Sequence, residues 1–416
     1  MFTVSLVVSL LVVLVIAMRQ WLPPALRIWH VMVAGALVLL LAGEIEPGAA
    51  LAAIDWNVIA YLFGVFSIAA ALYDSGISHA LGRRLGRSGQ SSRAFLLFLL
   101  AAAGGAAALT NDAAAVIGVP VALMLAGAFG WPPGVPLVAL CAAVTVGSMA
   151  TPIGNPQNIL VATSGGVPRP LADFALWLAV PSLASLAFAW FWLARLLPAA
   201  DAPAAPERHV LPLPQDTPRT WPAYAAAFLL IALIGADGLQ GALGQRAGLP
   251  YGAISLIACA PVYLFGRRRL RTLREVDWAT LIFFAAMFVV TAALMRLGAL
   301  QAMLAAFRGD LGDPATAAVV AFWGSQVVSN VPLVTLYLQL LPDAPLSTLM
   351  MLAGVATLAG NLLVISAASN VIVVQQAEKF GPTPFTFWRF AWMMLPVTVV
   401  SVALTYGWVS LLDVLL

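Results

Sequence analysis

Charge is what this sequence has least of. Charged residues make up 9% of its 416 residues, against roughly 25% in ordinary globular domains. Lysine occurs once, at Lys379. That scarcity excludes a basic nucleic-acid face, and no nucleic-acid partner is expected. Cysteine is nearly absent: Cys141 and Cys259 both lie in apolar runs without a neighbouring His or second Cys, so neither a zinc site nor a disulfide framework is indicated. The chain has no Gly-x-Ser-x-Gly elbow, no His-Glu-x-x-His pair and no Walker loop. Those absences speak against an enzyme and against ATP drive from this chain alone. His30, His79 and His209 carry no evident role.

What the chain has instead is apolar sequence, 62% of it. It lies in long blocks such as Phe2–Met18, Phe95–Leu109 and Leu281–Leu294. A membrane-spanning helix needs about 20 mostly apolar residues, because each backbone N–H and C=O must be satisfied within the segment. The expected fold is therefore an all-α polytopic membrane protein in a bacterial inner membrane. Crossings are predicted at about 2–18, 27–43, 54–73, 135–163 and 172–197, then at 222–241, 250–266, 276–294, 345–376 and 386–412. Met1–Met18 reads as a retained first helix, lacking the basic start and cleavage site of a secretory signal. Two further stretches, 94–129 and 313–342, are broken at Thr110-Asn111-Asp112 and Ser329-Asn330-Val331-Pro332. Their arms look short for a span, which predicts re-entrant hairpins.

Basic residues favour cytoplasmic loops. With the N-terminus outside, every Lys and Arg falls inside except Arg169, Arg246, Arg296 and Arg308. The Arg267–Arg271 run then reads as an orientation signal. The one long polar segment, 198–220, is predicted to be a cytoplasmic linker between halves 1–197 and 221–416. The halves resemble each other. Ile54-Asp55-Trp56 matches Val276-Asp277-Trp278, and Leu109-Thr110-Asn111 matches Val328-Ser329-Asn330. Val146-Gly147-Ser148 matches Ala359-Gly360-Asn361, and Asn158-Ile159-Leu160-Val161 matches Asn370-Val371-Ile372-Val373. Five crossings and a hairpin per half is an odd count, so the second half should lie inverted. Secondary transporters built this way place their sites where discontinuous helices meet at the midplane.

Four polar interruptions mark such a site. They are Thr110, Asn111 and Asp112; Gly147, Ser148, Thr151, Gly154, Asn155 and Asn158; Ser329 and Asn330; and Gly360, Asn361, Ser366, Ser369 and Asn370. Unwound backbone at membrane depth is tolerated only inside protein or beside a water-filled cavity. Its carbonyls, with Asn and Ser oxygens, suit a cation such as sodium near Asn111, Ser148, Asn330 and Asn361. The helix starts after each break offer N–H groups to an anion or oxyacid. Packing or a kink would equally explain any one of these residues, though less readily four breaks paired by a repeat. Asp112 is costly at membrane depth, and the repeat places Val331 opposite it. It is either a structural cap on the second hairpin arm or a carboxylate that takes up a proton or cation during transport.

At these breaks the sequence resembles the ion transporter superfamily, which includes arsenite permeases, NhaD-type sodium/proton antiporters, the melanosomal P protein, and citrate and dicarboxylate transporters. The resemblance runs from about Asn57 to Trp408. Thr110-Asn111 and Ser329-Asn330 are similar to the Ser-Asn-Thr tips of the dicarboxylate branch, which has Thr where this chain has Asp112 and Val331. The Asn-Asp pair and Thr151-Pro152-Ile153-Gly154-Asn155-Pro156-Gln157-Asn158 resemble the arsenite-permease, NhaD and P-protein branches. So does the run from Gly360-Asn361 to Ser369-Asn370, followed by Glu378-Lys379. The resemblance implies alternating access about the tips, with Asn111, Asn330, Ser148 and Asn361 binding substrate or ion and Asp112 carrying the proton. It implies no cofactor beyond a coupling proton or sodium ion. The expected cargo is a small oxyanion or its acid, exported, with arsenite or antimonite in the lead. Sodium-coupled uptake of a di- or tricarboxylate or other divalent anion is the first alternative, and sodium/proton antiport the second. The expected partners are the bilayer and a small-molecule or ion substrate. A homodimer, and a soluble ATPase for an arsenite pump, are also compatible with the resemblance.

Overall fold

The computed structural model describes residues 7, 8, 11, 12, 15, 28–87, 89–198, 220–243, 249–296, 310–328, 330–381 and 385–416. Most of the predicted first crossing and linker, and Ser329, lie outside these residues. The described residues are almost wholly helical, with no strand. The first half carries α1 Ile28–Leu41, α2 Pro47–Ala53, α3 Trp56–Asp74, α4 Ile77–Gly86, α5 Ser91–Ala108, α6 Asn111–Phe129, α7 Gly134–Met149, α8 Pro156–Ser164 and α9 Pro170–Ala194. The second carries α10 Trp221–Ala242, α11 Tyr251–Phe265, α12 Arg269–Glu275, α13 Trp278–Arg296, α14 Pro314–Val328, α15 Asn330–Leu340, α16 Leu346–Ala359, α17 Ala368–Glu378 and α18 Phe387–Leu415. Six of these helices are long and apolar enough to cross a bilayer: α3, α5, α6, α9, α10 and α18.

The internal repeat is visible in the packing. Helix α3 lies on α11 and α13 lies on α1; α5 packs on α7 as α14 does on α16. Helix α6 touches α17, and α15 touches α8. The repeated Asp-Trp pairs do the same work twice. Asp55 accepts the backbone N–H groups of Asn57 and Val58, and Asp277 accepts that of Thr280. Each thereby satisfies donors left free at a helix start. The indoles of Trp56 and Trp278 each donate back to the carbonyl five residues earlier, at Leu51 and Leu273. Between α3 and α13 lies a groove lined by Trp56, Ile59, Ala60 and Phe63 and by Trp278, Leu281, Ile282 and Ala285. These are four repeat-related pairs, and the ring of Phe63 lies 5.8 Å from that of Trp278. The start of one helix thus meets the third turn of its counterpart, as inverted repeats require.

Two sequence expectations need correction. The arms of the first hairpin are not short: α5 has 18 residues and α6 has 19. Helix α5 begins in the polar Ser91-Ser92-Arg93 segment, and α6 begins at Asn111 because Thr110 caps it, so the interruption shrinks to Leu109-Thr110. Second, 74–93, left unassigned between the predicted crossing at 54–73 and the predicted hairpin at 94–129, is not without structure. It contains α4, which buries Ser78, Gly82 and Leu85 and carries Arg83 and Arg84 in its last turn, a short amphipathic helix that apolar-run counting passes over. Both predicted broken crossings are broken. Helices α7 and α8 are separated at Ala150–Asn155, and α16 and α17 by Gly360–Ala367 with a single 3-10 turn at Val364–Ser366.

Candidate functional site

The tip of the first hairpin is sewn to the first break. Asn111 donates its backbone N–H to the Gly154 carbonyl at 2.8 Å. The Thr151 hydroxyl donates to Ala107 on α5, and the Tyr61 phenol donates to both Leu109 and Ile153. Thr110 is the N-cap of α6, accepting from Ala113. That removes the need for Asp112 to cap the helix. Asp112 is buried in the first turn, and its Oδ1 has no protein partner. The other acid that the sequence places near an apolar run, Asp74, pairs with Arg271 at 3.5 Å.

Within the first break each polar side chain makes a hydrogen bond. Asn155 caps α8 by accepting from Asn158 and donates its amide to the Ser148 hydroxyl at 3.1 Å. Ser148 in turn donates to the Thr145 carbonyl. Asn158 donates to the carbonyls of Ser148, Met149 and Thr151 at 3.1, 3.3 and 2.9 Å. It thereby closes the carbonyls that the end of α7 leaves open. Gly147 is fixed by close packing, since a Cβ there would come within 2.4 Å of the Ala103 carbonyl on α5.

The second break repeats this staple. Asn370 donates to the carbonyls of Gly360 at 2.8 Å and Leu363 at 3.4 Å. The steps back from the Asn are the same in both halves, ten and seven residues. Structurally, therefore, Gly360 answers Ser148 and Asn361 answers Met149, a correction of one residue to the match read from sequence. Gly360 also makes room for the second tip, because a Cβ there would meet the Asn330 amide at 3.0 Å. Ser366 donates to Gln326, which donates to the Ala359 carbonyl. Asn111 donates to Ser369 at 3.4 Å, across the repeat.

Among the buried side-chain atoms without a protein partner, five belong to the two tips and the second break. Both side-chain atoms of Asn361, Oδ1 of Asn370, Oδ1 of Asn330 and Oδ1 of Asp112 are buried without a protein partner. An unmatched buried polar atom costs about 1–3 kcal/mol, so a cluster of them marks a place where something else binds. The starts of α6 and α17 meet here, and that of α15 lies against Gly360, each offering N–H groups and a positive dipole end. No arginine or lysine is among the side chains making these contacts.

Sequence reasoning missed three participants. Thr357 on α16 accepts from Asn155 and Gln157 at 3.2 and 3.4 Å and donates to Asn158 Oδ1 at 3.3 Å, joining the two halves. Gln157 lay inside the quoted motif, and Thr357 could have been found as the repeat partner of Thr145. Tyr61 carries no signal short of the structure. Among the described residues no group of His, Cys, Asp or Glu could hold a metal ion.

The CitMHS family model, described as a citrate transporter, matches residues 11–345. The chain belongs to the citrate transporter family. Among relatives of this chain, inner membrane protein YbiR of Escherichia coli K12 is 29% identical over 358 residues, covering 85% of this chain and 88% of YbiR. Uncharacterized transporter Rv2685 of Mycobacterium tuberculosis is 27% identical over 382 residues, covering 86% and 87%. The rice silicon efflux transporter LSI3 is 24% identical over 442 residues, covering 89% and 90%. The crystal structure of the YdaH transporter of Alcanivorax borkumensis shares the fold, with a TM-score of 0.50 at 17% identity over 91% of this chain and 87% of that one. This citrate transporter family chain is a multi-pass membrane transporter.

Proposed function

We propose that the chain is a secondary active transporter that exports a small oxyacid, with arsenite or antimonite as the leading cargo and the proton as coupling ion. The observation that carries this reading is the chemistry of the unmatched groups. They are amide and carboxyl atoms on Asn330, Asn361, Asn370 and Asp112, with no cation among them. Amides both donate and accept, which suits the hydroxyls of an undissociated acid better than the full charges of a tricarboxylate. The likeness to a silicon efflux transporter supports the same class. Asp112 supplies the only carboxylate in that set, and its repeat counterpart Val331 cannot titrate. The two tips and two breaks would form a single cavity, entered alternately from either side. The bond from Asn111 to Gly154 ties the first tip to the depth of the first break, so the hairpins would be re-entrant although the first has arms of spanning length.

A second reading, sodium-coupled uptake of a carboxylate, is favoured by the family description and by the helix starts at the site. Proteoliposomes loaded with arsenite, silicic acid, citrate, succinate or sodium, under imposed proton or sodium gradients, separate the two. The proposal expects proton-driven movement of arsenite or silicic acid. Sodium-driven citrate or succinate uptake would replace it, and sodium–proton exchange without other cargo would make the chain an antiporter. In the same assay Asn111→Ala and Asn330→Ala should each abolish transport while expressing near normally. Near-normal transport removes that residue from the site.

A further inference from the structure

The repeat makes an internal control that points to one more ligand contact. In the first half, Asn158 spends its amide nitrogen on the broken helix, and its oxygen is taken by the Thr357 hydroxyl of the other half. The repeat counterpart of that pair is Asn370 with Thr145, because Thr357 lies 212 residues after Thr145 as Asn370 does after Asn158. The helices agree: α16 packs on α8, and α7 packs on α17. Asn370 makes the same staple with its nitrogen. Yet Asn370 Oδ1 and Thr145 Oγ1 are both buried without a protein partner, and Thr145 is only 1% exposed. Position 361, where the first half has Met149, adds an amide whose oxygen and nitrogen are also unmatched.

We infer that Thr145, with Asn361 and Asn370, contacts the transported solute, which takes on this side the hydrogen bonds that Thr357 makes on the other. The inference deepens the proposed transport site and rests on that reading. The ligand chemistry is that of an uncharged hydroxyl-bearing group. Asn370 Oδ1 and Asn361 Oδ1 accept, Asn361 Nδ2 donates, and the threonine hydroxyl does either. The site is therefore lopsided: the first break is a closed structural knot and the second an open binding face.

Two measurements on the full chain test this. The first is thermal melting of purified protein without cargo. Removing a hydroxyl that has no partner is neutral or stabilising, whereas removing one that serves three partners leaves them exposed to the cost of burial. Thr145→Val should melt at or above the wild-type temperature, and Thr357→Val should melt several degrees lower. The second is the KM for whichever member of the arsenite, silicic acid, citrate and succinate panel the wild type moves. Thr145→Val should raise it by about five- to tenfold, as loss of one hydrogen bond does, and Thr145→Ser should restore it. A melting temperature that falls as far as that of Thr357→Val, or a KM that does not move, overturns the assignment. If the wild type moves a carboxylate and no oxyacid, the proposed cargo fails while the role of Thr145 is still decided, on that carboxylate. The melting comparison needs no cargo at all.

Discussion

In the first break, Asn158 hangs its amide over Ser148, Met149 and Thr151 while Thr357 reaches across from the other half to take its oxygen. In the second, Asn370 makes the matching reach to Gly360 and Leu363, but its oxygen and the whole Asn361 amide are left over. The staple reaches ten and seven residues back in both halves, while the length of the break and the side chains around it differ. A helix interrupted inside a bilayer must have its freed carbonyls satisfied by protein, and the Asn staple does that in both halves. Once it is in place, the remaining positions can be spent on rigidity or on binding. The first half spends them on rigidity.

If that division holds, substitutions on the open side should remove transport and spare the fold. The largest effect is expected at Asp112. Asp112→Asn keeps the shape of the side chain and fixes its charge at zero, so pH-driven transport should be lost altogether. Substrate exchange at equal pH should survive, because exchange need not return an empty carrier. Full pH-driven transport by this variant would move the coupling ion elsewhere, most simply to the unmatched groups of the second break beside Asn361. Next is Asn361→Ala, expected to lower cargo affinity at least about tenfold, since a residue with two unmatched atoms loses both contacts. Its melting temperature should stay near wild type. A drop in melting with affinity unchanged would make Asn361 a structural residue and erase the difference between the breaks.

The opposite pattern is expected across the divide. Asn158→Ala strands three carbonyls and the Thr357 hydroxyl, and should destabilise by about 1–3 kcal/mol. Denaturation in detergent would measure this, with Asn370→Ala as the comparison. Asn370 serves two carbonyls, one at 3.4 Å, so it should cost less stability and more transport. Equal losses in both would mean that the two breaks are equivalent.

Helices, breaks and the repeat were legible in the sequence because they are written in composition and order. Apolar runs fix the helices, and Asp-Trp, Thr-Asn and the paired Asn positions recur in the same sequence. The one-residue error at Gly360 arose because similarity of residue type favoured Ser148 with Asn361, while backbone geometry pairs Asn361 with Met149. The lopsidedness of the site was not legible. Asn155, Asn158 and Asn370 are all amides at breaks, and the first two are partnered by Thr357, some 200 residues further along the chain, while Asn370 Oδ1 has no such partner. The amphipathic α4 was hidden for a different reason: it has too few apolar residues to register as a crossing.

The smallest expected effect tests whether the halves also differ at their edges. The second hairpin begins at α14, where the exposed Asp313 accepts the backbone N–H of Thr316 at 2.9 Å and its hydroxyl at 3.1 Å. The first hairpin begins after Gln90, which makes no side-chain cap. Hydrogen bonds from Thr316 hold the Asp313 carboxyl below the usual carboxylate range. Its folded-state pKa is therefore lowered, so its contribution to stability is present above the unfolded value of about 3.9 and is lost as pH falls through the folded value. An exposed cap of this kind is worth about 0.5–1 kcal/mol. Asp313→Ala should thus melt slightly below wild type at pH 7, and the gap should close as the pH is taken below about 4. Gln90→Ala removes no titratable group, so any gap it shows should not change with pH. A gap that persists in acid would mean that Asp313 acts through packing or through its neutral form, and the cap would no longer distinguish the two hairpins.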